Sequence, residues 1–519
     1  MSITTNSKIS FPFHPFLLVI LPPLVIFIGN IEQLYPADLV LPTLLILIPT
    51  ILLWIGFTFF FKSSTKSGLI VSLMIVLFFS YGTIFTKLNG IIVNFQISNT
   101  FFIFLFLGIF ILGFLYCFKT KRKLNNITTI LNVVVITLIA VTSTQLIGYD
   151  FNQSHIFEDD VDTSTQFRLT DSLSEYPDIY YIILDEYAGS KILNDTFDYD
   201  NSEFINFLNT TGFNTPLQTQ SNYFVSFLSL SSTLNMQYVN FYTDEVGIDS
   251  KDRRLSYNLL HNNRVMQILE LNGYSTINFD SNWGPTNAIK MADQNLCEKS
   301  PAFNSELFTA VLGNSMLKPV YVDLFLPSDR ERVLCIFSEL PEIQFQSNKP
   351  IFVLAHIMLP HGPYVWGPNG EHRKIDSLSM IDHLQKLQHV EEDKKGYLDQ
   401  LKFTNKMVQE MIEKIMDEKK RPKIIIIQSD HGTAIPLDWE EPTEKMKHDR
   451  LSNINYILLP DKNENPLYNT MTPVNTFRVL FNDYFNTNFE ILEDRIFFSV
   501  RPYSTPYNFI DVTHLFRDV

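Results

Sequence analysis

Five apolar stretches crowd the first 147 residues of this chain, at about 11–29, 39–61, 67–88, 101–118 and 128–147. Each approaches or exceeds the roughly 20 residues that a helix needs to cross a bilayer. Inside hydrocarbon a lone segment can satisfy its backbone only by coiling into a helix. The first stretch lacks a basic start and a small-residue cleavage site, and further spans follow it, so it is expected to stay rather than be removed as a leader. The loops set the orientation. Asn30 to Asp38 and Asn89 to Thr100 carry no Lys or Arg, whereas the other two loops hold Lys62 and Lys66, and Lys119-Thr120-Lys121-Arg122-Lys123. Basic loops stay in the cytoplasm. The N-terminus is therefore expected inside, and everything after about residue 148 outside, in a multi-pass protein of the plasma membrane. No ionisable residue is placed mid-span, so the reading is an anchor rather than a transport path.

The apolar spans account for a mean hydropathy of +0.06 and 46% hydrophobic residues, values too high for a soluble enzyme. What remains is long enough for one large domain with its own core. The net charge of −15 excludes a nucleic-acid partner, whose phosphates demand a basic face. Of the three cysteines, Cys117 lies in an apolar stretch, while Cys297 and Cys335 lie in the exterior region, where a bond between them is one of two open states.

Residues 148–176 are polar and acidic and read as a juxtamembrane linker; the exterior domain is 177–519. From Pro177 onward, apolar strands alternate with amphipathic helices. Strands are expected at 179–184, 274–278, 351–357, 423–428 and 454–459. Helices are expected at 201–211, 263–272 and 391–419, with a long, partly hydrophobic insertion at 284–345. That alternation implies an α/β domain with a mostly parallel sheet sandwiched by helices.

The chemistry gathers at strand ends. Ile424-Ile425-Ile426-Ile427 cannot leave a face in water, so it reads as a buried central strand, and it delivers Asp430, His431 and Gly432 at its tip. Ile179 to Leu184 ends the same way, in Asp185-Glu186. Strand 351–357 contains His356 and leads to Leu359-Pro360-His361-Gly362-Pro363. Open α/β sheets place ligands at that edge. Ser221 to Ser232 is a hydroxyl-rich lead-in to a helix, and a helix N-terminus favours an anion or an alkoxide. Asp185, Asp430, His431 and Ser226 together could hold Zn²⁺ or Mn²⁺ ahead of Mg²⁺ or Ca²⁺. Such an ion would lower the hydroxyl pKa for attack on phosphorus or sulfur. His361 would bind the transferred group or protonate the leaving oxygen. Taken singly, each feature has a plainer reading: a turn with a capping Asp, a helix start, N-cap serines. His356 reads first as a hydrogen-bonded core or supporting histidine. His448 and Arg450 read as solvated loop.

On these residues the chain resembles the sulfatase-like branch of the alkaline phosphatase superfamily in its membrane-anchored form. Lipoteichoic acid synthases and lipid A phosphoethanolamine transferases share that layout of five N-terminal spans and an external domain. The resemblance covers 177 to about 515 and rests on Pro177–Tyr187, Asn222–Tyr238, His356 with Pro360-His361, Ser429-Asp430-His431-Gly432 and Val474–Arg478. It implies one divalent metal held by Asp185, Ser226, Asp430 and His431, with Glu186 where sulfatases have a second acidic ligand. It also implies Ser226 as nucleophile, with Ser229 as the fallback, and His361 on the transferred phosphate. Sulfatases need Cys or Ser followed by x-Pro-x-Arg, whereas Ser226 is followed by Phe227-Leu228-Ser229-Leu230. The resemblance therefore points to transfer or hydrolysis of a phosphate-linked group on a membrane lipid or surface glycan. The alternatives are a sulfatase or phosphodiesterase acting on surface polysaccharide, and an inactive scaffold or sensor that keeps the fold.

Overall fold

The computed structural model describes residues 11–91, 98–147, 176–298, 306–318, 327–345, 347–373, 390–417, 421–439, 441–460, 466–499, 501 and 504–516. The expected linker lies almost entirely outside them. The chain forms two compact units, Met1–Gln153 with Lys299–Ser328, and Ser154–Glu298 with Asp329–Val519. The first unit thus takes in part of the insertion that the sequence reading assigned to the exterior domain.

The membrane unit contains α1 (His14–Leu18), α2 (Leu21–Gly29), α3 (Val40–Phe61), α4 (Ser64–Ile91), α5 (Asn99–Lys119) and α6 (Asn125–Ser143). Among the described residues, four helical segments are long and apolar enough to cross a membrane: Pro36–Phe61, Ser64–Phe85, Asn99–Lys119 and Asn125–Leu146. Their outward Phe59, Phe104 and Leu112 are exposed, as suits side chains that meet hydrocarbon. The first apolar stretch departs from expectation, because it is two short helices rather than one span. Pro22-Pro23 supply no N–H donors and so favour a helix start over a helix middle. The stretch also begins on a polar pin, with the backbone N–H groups of Phe13 and His14 donating to Asn132 Oδ1 at 3.0 and 2.9 Å.

The second unit is built on a six-stranded sheet. Its strands are β1 (Asp178–Leu184), β2 (Ser275–Phe279), β3 (Gln294–Leu296), β4 (Ile351–Ile357), β5 (Lys423–Gln428) and β6 (Asn455–Leu458), in the order β3-β2-β4-β1-β5-β6. All neighbours run parallel except β6, which is antiparallel to β5. Every residue of β1, β4 and β5 is buried. Apolar runs without alternation mean that both faces of the sheet are covered. On one face Tyr180, Ile182 and Leu184 pack with Leu401, Val408 and Ile412 of the long helix Val390–Asp417. On the other, Tyr181 and Ile183 pack with Leu230 and Leu234 of the helix Ser226–Asn235, and with Phe477 of the helix Pro473–Tyr484. Cys297 and Cys335 form a disulfide.

Candidate metal centre

The sheet register explains why the candidate residues meet. In the parallel pairs, Ile183 stands opposite His356 on one side and Gln428 on the other. Side chains alternate with period two. Asp185, two residues beyond Ile183, therefore shares a face with His356 and with Asp430, two residues beyond Gln428. That face is the one covered by the helix Ser226–Asn235.

Ligand atoms of Asp185, His356 and Asp430 lie within 4.8 Å of one another, and all three residues are buried. Each contributes an atom without a hydrogen-bond partner: Asp185 Oδ1, His356 Nε2 and Asp430 Oδ2. Buried polar atoms are almost always paired, so three orphans facing one place are a cation site in waiting. The other atoms of these side chains are engaged. Asp430 Oδ1 accepts from the backbone N–H groups of Glu186 and His431 at 3.2 and 2.9 Å. His356 Nδ1 lies 2.9 Å from Thr286 Oγ1, which aims Nε2 at Asp185 Oδ2, 3.5 Å away.

His431 adds a fourth group. Its Nδ1–H donates to Gly432 O at 3.1 Å, which leaves Nε2 as the acceptor of the ring, shared between Arg450 Nη2 and the site. That Nε2 lies 3.1 Å from Asp430 Oδ2, 3.9 Å from Asp185 Oδ1 and 3.1 Å from Ser226 Oγ. Gly432 allows the turn to sit close, because a Cβ there would collide with the carbonyls of Asp449 and Ser452. Ser226 is the first residue of its helix, half-buried, preceded by extended Val225. Ser229 has another duty, donating to Tyr223 O at 2.8 Å.

The electrostatics favour a positive charge between these groups. Burial, reinforced by the neighbouring Asp185 carboxylate, pushes the Asp430 carboxyl up. Asp185 is buried too, but His361, His356 and His431 outweigh that and hold it below the usual carboxylate range. Two adjacent carboxylates of which one resists ionisation make a pair that a cation would relieve. Burial and the Arg450 charge hold His431 well below its ordinary value, hence neutral.

Glu186 faces elsewhere. Its backbone is left-handed (φ 64°), and its carboxylate accepts from Ala434 N at 2.5 Å and from Arg450 Nη1 at 3.1 Å. His361 Nε2 lies 3.7 Å from Glu186 Oε2, and its Nδ1–H donates to Gly362 O at 2.5 Å. Burial lowers the His361 pKa, but the Asp185 and Glu186 carboxylates overcome that and raise it. The structure thus brings Asp185, His356 and Asp430 together, with His431 in reach of both aspartates, Ser226 beside His431, and Glu186 next to His361.

Two residues of the site were not assigned to it from sequence. His356 sat on a buried strand and read as core. Arg450 read as solvated loop, yet it lies in the helix Glu444–Leu451 and is 5% exposed. Its Nε donates to Phe224 O at 2.8 Å, Nη1 to Gly432 O at 3.0 Å, and Nη2 lies 3.0 Å from His431 Nε2. The signal available was slight: Thr443 as a helix N-cap, Glu444 in the first turn, and His448 and Arg450 in the last turn of a polar stretch.

No family model matches the chain, and no curated protein does. Several solved structures are similar to it. The C-terminal periplasmic domain of Escherichia coli EptC in complex with Zn is 11% identical, with a TM-score of 0.43, over 68% of this chain and 97% of that one. The periplasmic domain of phosphoethanolamine transferase EptC from Campylobacter jejuni is 14% identical, with a TM-score of 0.38, over 63% and 95%. The integral membrane lipooligosaccharide phosphoethanolamine transferase EptA from Neisseria meningitidis is 10% identical, with a TM-score of 0.37, over 87% and 89%. At such identities and scores the likeness is descriptive, and the site is read from this chain's own residues.

Proposed function

We propose that this chain is a membrane-anchored, metal-dependent enzyme that transfers or hydrolyses a phosphate-linked group on a membrane lipid or cell-surface glycan, with Ser226 as nucleophile. The observation that carries the reading is the convergence of three orphaned buried atoms, on Asp185, His356 and Asp430, next to a hydroxyl at a helix N-terminus. Those residues and His431 Nε2 would hold one divalent ion, Zn²⁺ or Mn²⁺ by the mixed N/O donor set. When bound, the ion would supply positive charge that lowers the pKa of the adjacent hydroxyl and stabilises the charge that develops in transfer.

The chain's own residues account for the rest. Ser226 Oγ, having lost its proton to water, forms a bond to phosphorus while the bond from phosphorus to the departing oxygen breaks. His361, whose raised pKa keeps a proton on the ring, donates it to that oxygen. Arg450, held by Glu186 and two carbonyls, keeps a fixed positive charge beside Ser226 where the anionic group arrives. A water or an acceptor hydroxyl then attacks phosphorus, passing its proton to His361, the bond from phosphorus to Ser226 Oγ breaks, and Ser226 regains a proton from water. The disulfide in the same unit suits an oxidising, extracytoplasmic compartment, with the N-terminus in the cytoplasm.

The test is turnover of an aryl phosphodiester by the full-length chain in detergent. Wild type should contain a divalent metal and turn over, while Ser226→Ala and Asp430→Ala should not. A wild type without bound metal and inert toward phosphate and sulfate esters would leave the scaffold reading. Lipid and glycan mass spectrometry of cells with and without the gene would then name the substrate.

A further inference from the structure

The sequence provides one obvious connection between the exterior domain and the spans, the linker. The fold contains another. The chain leaves the exterior unit after Glu298, contributes Lys299–Ser328 to the membrane unit, and returns at Asp329. Within this excursion the helix Glu306–Gly313 buries Leu307 and Val311 against Phe27 of α2 and against Leu34. Beyond it, Ser315 is buried, and Met316 packs on the cluster formed by Tyr81, Phe102 and Phe106.

Backbone contacts fix the excursion more closely than apolar packing alone. The Met316 N–H donates to Phe78 O at 2.8 Å, and the Gly82 N–H donates to Asn314 O at 3.1 Å. In an α-helix, residue 82 N–H and residue 78 C=O are the two ends of one ladder rung. The excursion therefore clasps a single rung of α4 from both sides. This contact depends on the absence of a side chain at Gly82, since a Cβ there would come within 2.6–2.8 Å of the Asn314 backbone. Small residues at helix contacts inside a membrane serve this purpose, letting a second backbone come close. Where the excursion begins and ends, Cys297 and Cys335 are joined, so the segment leaves the exterior unit as one covalently closed loop.

We infer that residues 306–318 are a second membrane anchor of the exterior domain, docked into α2 and α4 and independent of the linker. The inference does not rest on the enzymatic reading. Cutting the linker should then fail to release the exterior domain.

The experiment uses the full chain in detergent, with a protease site placed in 148–175 and an affinity tag on the N-terminus. After complete cleavage, the wild-type exterior fragment should co-purify with the tagged spans. Gly82→Leu, which fills the notch, should release at least tenfold more of it. Because Gly82→Leu alters α4 itself, the double change Leu307→Glu, Val311→Glu serves as a second variant that leaves the spans intact, and it should release the fragment to a similar extent. Retention of the Cys297–Cys335 bond on a non-reducing gel reports that the exterior unit is folded in each case. Release of the wild-type fragment overturns the inference, as does retention of the doubly substituted fragment at the wild-type level.

Discussion

The central strand β1 starts and ends with a buried aspartate, and the two ends of the sheet use the same residue in opposite ways. Asp178, at the N-terminal edge, has its Oδ1 filled by the Ile351 N–H at 3.0 Å and by Arg421 Nε at 2.8 Å. Its charge has a buried partner, and it ties three elements together. Asp185, at the C-terminal edge, has an oxygen that nothing in the described residues satisfies, as does its neighbour Asp430, and His356 has a ring nitrogen, Nε2, in the same state. Burial is nearly equal, at 1% exposure each, so burial alone does not mark function. Satisfaction does. A paired buried charge is part of the scaffold, and a set of converging unpaired ones is a place for something to bind.

Substitutions at the two ends should separate chemistry from stability. The largest effect is expected at Asp430: with Asn there, whose Oδ1 can still accept from the Glu186 and His431 N–H groups, turnover of an aryl phosphodiester should fall at least about a thousandfold, while the metal-free protein keeps its unfolding midpoint. If that midpoint instead drops as far as in the Asp178 variant, the contrast between the edges fails. Asp178→Ala should strand the Arg421 guanidinium in the interior and destabilise the exterior unit by about 3–5 kcal/mol, read by denaturant unfolding, while the molecules that remain folded keep their turnover number. A smaller effect belongs to Thr286, whose hydroxyl lies between Ser281 Oγ and His356 Nδ1 and orients the ring. Thr286→Val should weaken metal affinity by about 10–100-fold with little change in midpoint, measured by competition with a chelator. The smallest effect is a proton count. Because the folded site raises the Asp430 pKa, that carboxyl retains its proton to higher pH than an ordinary one, and metal binding must expel it. Binding should therefore release about one proton and tighten as pH rises. Calorimetry in two buffers of different ionisation enthalpy would show it, and an affinity independent of pH would contradict it.

Much of the sheet was legible because its strands are written in residues with few alternatives. Ile424 to Ile427 and Ile179 to Leu184 leave no polar face, and a strand covered on both sides is the outcome. The antiparallel direction of β6 was not legible, since strand polarity depends on the connection rather than on the strand's own residues. The three-residue β3 carries too little pattern to register. Within the site, Asp185, Ser226, Asp430 and His431 could be found because each stands at the end of an element whose type the sequence declares. His356 was hidden by the same logic: it lies inside a strand, and only the register with Ile183 brings it level with the aspartates. Arg450 was hidden because a charged residue in a polar helix reads as solvated until tertiary contacts close over it. The first apolar stretch shows the limit of counting hydropathy, for Pro22-Pro23 divide what composition alone would join.

The segment between Cys297 and Cys335 is closed at its base by two Cα atoms 5.9 Å apart. Whatever chain is strung between them adds to the entropy of closure only logarithmically. Insertions or deletions within 306–318 would leave the strand register untouched, because Arg332, which pairs with Asp280, and Val333, which packs in the same core as Ile277, lie outside that stretch. This neck is thus the natural graft point at which a different membrane-contacting sequence could be fitted to the same sheet.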